Sequence, residues 1–152
     1  MEKDIENFYK EQAESNKDNN LNVVFTMLAK EEENHSKILR ANADKLAIPL
    51  EDSNILNESL LIFKNMDPVN SNIRETPTQL ELYRYALGKE EESVKLYRDL
   101  YAKSTTEQAK TVFNYLIKQE EIHCVIIEEL VKMVGRPEEW VESPEFGLRE
   151  TY

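Results

Sequence analysis

The 152-residue chain repeats itself with an offset of 88 residues, and the matched positions are ones that can hold a metal ion. Glu32-x-x-His35 recurs as Glu120-x-x-His123, Tyr9 as Tyr97 and Glu2 as Glu90, without a gap. Val24-Phe25, Leu28, Lys30, Glu33, Ile38 and Pro49 recur as Val112-Phe113, Leu116, Lys118, Glu121, Ile126 and Pro137. One Glu-x-x-His pair says little in a chain with 24 Glu, because short motifs arise by chance. The shared Glu-to-Tyr and Tyr-to-Glu spacings make the repeat informative. A duplicated helical hairpin, with one Glu on its first helix and Glu-x-x-His on its second, is the sequence form of a dinuclear carboxylate site.

Three Gly and five Pro leave few places for tight turns, and a chain dominated by Glu, Lys, Leu and Asn reads as all-α. Its length suits one domain with its own core. A formal charge of −11 argues against nucleic acid or an anionic membrane surface as partner, since both need a basic face. Cys124 is the sole cysteine; disulfides and Cys-x-x-Cys metal knuckles are ruled out, and the thiol reads as a small apolar residue. With no signal peptide visible and no apolar run near the roughly 20 residues that span a bilayer, the expected location is the cytoplasm.

Periodicity predicts four long helices. The first runs from the start of the chain to about Asn16, with Asp18-Asn19-Asn20 as the turn. The second covers about Leu21 to Leu46 and stops before Pro49; its apolar stripe is Leu21, Val24, Phe25, Leu28, Leu39 and Leu46. Glu32 and His35 fill the gap in that stripe. Residues 47–75 form a long crossover with one short helix near Asn54–Lys64. The third helix starts at Thr76 as N-cap, with Pro77 first and Gln79 closing a capping box, and aligns Leu80, Tyr83, Leu87, Glu90, Val94 and Tyr97. Ser104 with Glu107 suggests a second capping box. The fourth helix then runs from near Thr105 through Val112, Phe113, Leu116, Glu120, His123, Ile127 and Val131 to Gly135 as C′ residue. The expectation is a ferritin-like four-helix bundle over residues 1–136, built of hairpins at about 1–46 and 76–135, with a short tail at 137–152.

The runs Glu31–Glu33 and Glu90–Glu92 read mainly as solvated helix faces. Glu32, Glu90 and Glu120 nevertheless fall on apolar stripes, and a buried carboxylate without a partner costs several kcal/mol or takes up a proton. Cations remove that penalty. Carboxylate oxygens suit iron or manganese and can bridge two ions, and each His adds one neutral nitrogen. Glu and His three apart share a helix face. The bland alternative is a metal-free structural bundle with ordinary core histidines. Tyr9 and Tyr97 are core aromatics or, in the sharper reading, hydrogen-bond donors to a ligand Glu.

The segments Glu2-x6-Tyr9, Phe25-x2-Leu28-x3-Glu32-x2-His35, Ala86-x3-Glu90-x6-Tyr97 and Phe113-x2-Leu116-x3-Glu120-x2-His123 resemble the rubrerythrin branch of the ferritin-like superfamily, over about residues 1–135. The resemblance implies two iron ions, with manganese or zinc as other occupants. Glu32 and Glu120 would bridge them, Glu2 and Glu90 would be terminal carboxylates, and His35 and His123 would supply nitrogens. It implies reduction of hydrogen peroxide; ferroxidase or iron-buffering and storage activity, with dioxygen as oxidant, is the alternative. Rubrerythrins proper usually carry a further Glu one turn after the Glu90 position, where this chain has Ser93, which puts the family's redox-linked iron shift in doubt. No rubredoxin-like four-cysteine module follows the bundle, so the expected electron donor is another protein such as a rubredoxin. Glu2 stands in a first turn that frays unless packed. That placement is expected to leave Leu80, Tyr83 and Leu87 without cover from the first helix, and an exposed apolar patch marks an interface. The expectation is a homodimer, with hairpin exchange across residues 47–75 as its variant.

Overall fold

The computed structural model describes residues 2–66 and 77–142, with side chains described for 3–66 and 78–135. Within them the chain forms α1 (Glu2–Ser15), α2 (Leu21–Ala43), α3 (Ile55–Asn65), α4 (Pro77–Lys103) and α5 (Glu107–Glu142), and no strand. No helix among the described residues is long and apolar enough to cross a membrane. The expected N-cap Thr76 and the tail from 143 lie outside the described residues.

Short polar turns fold α1 back along α2 and α4 back along α5, and these are the two most extensive helix contacts. The Leu21 amide donates to Asn19 Oδ1 at 2.8 Å, satisfying one orphan donor at the start of α2. The Ile55 amide donates to Ser53 Oγ at 3.0 Å to open α3, which rests on α2 and α5.

The buried side chains form two clusters. The larger holds Tyr9, Val24, Phe25, Leu28, Tyr83, Ile126, Ile127 and Leu130 among others. The smaller holds Ile38, Tyr97, Val112, Phe113 and Leu116. Repeat-related residues divide between them: Tyr9 stacks on Phe25 with ring centroids 6.2 Å apart and planes at 25°, and Tyr97 stacks on Phe113 at 6.4 Å and 24°. The duplication in sequence is a duplication in packing. Each such aromatic or aliphatic side chain stabilises the fold by about 1.5–3 kcal/mol on burial.

Three boundaries differ from expectation. α2 ends at Ala43, not Leu46, because Lys45 turns into the left-handed region at φ 58°. The Leu46 amide then bonds the Ala41 carbonyl at 2.7 Å and the Lys45 amide that of Asn42 at 3.1 Å, a Schellman ending without its usual glycine. Leu46 is left 60% exposed. Ser104 does not cap the last helix; its Oγ donates back to the Leu100 carbonyl at 2.7 Å. Thr106 is the cap, its Oγ1 accepting from the Ala109 amide at 3.1 Å. Gly135 is not a C′ residue either: its φ is not positive, and α5 continues through Pro137 to Glu142. Met133 and Val134 are buried just before it and hold the helix on the bundle. Proline's fixed φ is itself helical, so Pro137 deletes one hydrogen bond without forcing an end.

The expected uncovered patch on the third helix is also corrected. Tyr83 is fully buried with its ring 5.7 Å from Phe25, and Leu80 and Leu87 pack on the same cluster. The reason is direction. α1 runs antiparallel to α4, so residues after Glu2 cover residues before Glu90: Phe8 lies 6.0 Å from Tyr85, and Gln79 donates to Gln12 Oε1 at 2.8 Å.

Candidate metal centre

Between the two apolar clusters lies a layer of charge. Glu32 and His35 from α2, Glu90 from α4, and Glu120 and His123 from α5 are all buried, none more than 1% exposed. The helical spacing explains their convergence, because Glu32 and His35 share one face of α2, and Glu120 and His123 one face of α5.

His123 Nδ1 lies 2.7 Å from Glu32 Oε1, 2.9 Å from Glu90 Oε2 and 3.1 Å from Glu120 Oε1. One ring nitrogen carries at most one proton, and three carboxylates around it exceed what that proton can satisfy. One ligand atom from each of Glu32, Glu90, Glu120 and His123 fits within a span of 4.8 Å. His35 stacks on His123 with centroids 5.5 Å apart and planes at 17°. Its Nδ1 lies 3.3 Å from Glu120 Oε1 and 3.8 Å from Glu32 Oε2. Glu90 Oε1 and Glu120 Oε2 are buried with no hydrogen-bond donor among the described residues. Such orphaned oxygens, hard and anionic beside two imidazoles, fit divalent iron, manganese or zinc.

The electrostatics express the same crowding. Burial, reinforced by the Glu120 charge, pushes the Glu90 carboxyl up to about 7. Burial would also raise Glu120, but hydrogen bonds from His123 and His35 outweigh it and hold that carboxyl far below the usual range. Burial alone would lower His123, yet the surrounding carboxylates raise it well above an ordinary imidazole.

Tyr9 donates its phenol proton to Glu90 Oε2 at 3.0 Å, fully buried, and burial together with Glu90 and Glu32 keeps that phenol protonated. Tyr97 is buried against Phe113 at the opposite side of the layer. Glu2 opens α1, and its side chain lies outside the described residues. Ser93, one turn after Glu90, is buried. Cys124 is half-buried, its thiol pushed up to about 12 by burial and neighbouring Glu90 and Glu91, which disfavours the thiolate.

Sequence reasoning passed over Glu31, grouped with a solvated run. The structure turns Glu31 inward: its Oε1 accepts from His123 Nε2 at 2.8 Å, and its Oε2 accepts from Ser53 Oγ. The signal was present, because Val24, Leu28, Glu31 and His35 follow one another at steps of four, three and four, the helical stripe itself. Glu31 and His35, with Gln119, Tyr115, Glu51 and Asp52, line a cleft of about 360 Å³ leading from the surface to the layer.

The family model described as rubrerythrin matches residues 1–131, almost the whole of the helical region that carries these ligands. A search of curated proteins and one of solved structures each returned no match. With a match of that extent and a buried Glu and His layer at its centre, the chain belongs to the rubrerythrin family.

Proposed function

We propose that this protein is a di-iron carboxylate oxidoreductase that reduces hydrogen peroxide with electrons from an external donor protein such as a rubredoxin. The observation that carries the reading is the buried layer of Glu32, Glu90, Glu120, His35 and His123. A metal-free bundle would hold three carboxylates out of water with too few donors, at a cost of several kcal/mol. In the proposed arrangement two hairpins, α1–α2 and α4–α5, joined by the long connection, form the ferritin-like bundle. Glu32, Glu90, Glu120, His35 and His123, with Glu2 from the first turn of α1, would hold the two ions. Bound iron supplies Lewis acidity and one-electron redox steps.

The chain's own residues do the rest. The Tyr9 hydroxyl fixes Glu90 through Oε2, and the cleft beside His35 admits a molecule as small as peroxide. Cleaving the O–O bond consumes two electrons from the donor and two protons, giving two waters. Ser93 offers no carboxylate, so a redox-linked displacement of iron is not part of the reading. A cytoplasmic homodimer is part of it; α4 exposes Leu96 and Tyr101 at 40% each, which suits a contact surface. Solution mass checks this: about one chain's mass at micromolar concentration refutes the dimer.

One observation favours a second reading, ferroxidase or iron-buffering activity. The cleft carries Glu31, Glu33, Glu51 and Asp52 against Lys30 and Lys37, and negative walls concentrate cations rather than neutral peroxide. Stopped-flow oxidation of the ferrous protein separates the two. Faster reaction with peroxide than with dioxygen supports the peroxidase, and the reverse order supports iron oxidation.

A further inference from the structure

The internal repeat has one informative break beside the centre. Glu31 and Gln119 occupy equivalent positions, 88 residues apart, each one residue before its ligand Glu. On the first half a carboxylate is present, and it accepts from His123 Nε2 at 2.8 Å. On the second half the residue is a neutral amide: Gln119 is 5% exposed, its Oε1 lacks a hydrogen-bond donor among the described residues, and it lines the same cleft as His35.

We infer that Glu31 is a positioning residue for His123 and makes the two metal positions unequal, the His123 position binding a divalent cation first and more tightly than the His35 position. The inference rests on the di-metal reading above and deepens it. Glu31 acts through the ring. Accepting at Nε2 leaves the Nδ1 lone pair turned toward Glu32, Glu90 and Glu120, where a cation would sit, and an anionic acceptor makes that lone pair more basic. A neutral amide does this less well.

Glu31 is itself anchored. Ser53 Oγ donates to its Oε2 while accepting from the Ile55 amide at 3.0 Å. The Tyr115 hydroxyl pins the same connection by donating to the Glu51 carbonyl at 2.6 Å. The connection that caps α3 therefore also sets the His123 ring, and the repeat places the neutral Gln119 where a second such carboxylate would stand.

Metal-free protein titrated with cobalt(II), followed by calorimetry and by visible absorption, tests this without any activity measurement. Wild type should bind two ions in resolved steps, the first at least about tenfold tighter. Glu31→Gln should weaken that first step by about 10–100-fold, the usual effect of removing such a hydrogen-bonded partner, and change its absorption band. Gln119→Glu should tighten the second step and bring the two together. Two ions bound with equal affinity by wild type, an unchanged first step in Glu31→Gln, or an unchanged second step in Gln119→Glu would each overturn the inference and leave the metal centre standing. Failure of wild type to bind any ion would overturn both.

Discussion

Metal-free protein should be most stable in mildly acid solution and lose stability as the pH rises from about 4.5 to about 7. The Glu90 carboxyl sits at about 7 in the folded chain against an ordinary value of 4.5. Across that window the folded state holds a proton that the unfolded state has lost, so stability falls as pH rises. A gap of roughly 2.5 units at 1.36 kcal/mol each is on the order of 3 kcal/mol. His123, raised well above its ordinary 6.5, acts in the same sense: its contribution is complete below that value and is lost as pH climbs through the folded one. Glu120 and Glu31, both lowered, oppose at the acid end, contributing above about 4.5 and fading below it, which places the maximum in mild acid. For a domain of this size about 1 kcal/mol corresponds to 2–4 °C, so Tm should drop by about 10 °C. Calorimetric melting of chelator-treated protein across a pH series reads this directly. Glu90→Gln removes the titrating proton and should flatten most of the slope. A Tm that stays level or rises from about pH 4.5 to 7 in wild type would refute the account of the layer.

Glu120→Ala should bind less than half the wild-type metal, measured by elemental analysis after dialysis, since Glu120 Oε1 lies beside both His35 and His123; unaltered content would mean the site is elsewhere. Tyr9→Phe removes a buried bond to a carboxylate and should cost the metal-free fold about 1.5–3 kcal/mol by urea unfolding at mildly alkaline pH, where Glu90 is ionised. Lys45→Gly should stabilise by about 1 kcal/mol, because glycine carries no penalty at φ 58°, and a fall in urea midpoint would contradict the Schellman assignment.

The five residues of the buried layer were legible because duplication displays them twice at fixed helical spacing, and the structure brings Glu32, His35, Glu90, Glu120 and His123 into one layer. What escaped was whatever depends on a neighbour far along the chain. Glu31 falls on the stripe of Val24, Leu28 and His35, but its bonds to His123 and Ser53 depend on the packing of α2 against α5 and on the connection before α3. Lys45 carries no signal for a left-handed turn, since lysine takes that conformation only when the surrounding hydrogen bonds over-determine it. Gly135 and Pro137 form a plausible stop signal, overridden by buried Met133 and Val134. The direction error over Tyr83 is of another kind: periodicity shows which face of a helix is apolar and is silent on which end of a neighbour covers it.

The placement of the charged layer between two separate apolar clusters bears on how such a chain tolerates its own site. A Tyr–Phe stack anchors each cluster at nearly the same geometry, so the fold has packing on both sides that needs no ion. The layer itself opposes folding when empty, by an amount the pH argument puts near 3 kcal/mol at neutral to alkaline pH. A cation present at about a hundred times its dissociation constant stabilises by about 2.7 kcal/mol, almost the same magnitude. Metal should therefore restore the pH-dependent loss rather than create the fold. Its own pH dependence must run the other way, because carboxylates and imidazoles bind ions only when deprotonated. Circular dichroism checks the division: chelator-treated protein at mildly acid pH should keep its helical signal, and collapse of that signal on chelation would show that the two clusters cannot hold the bundle without the ion.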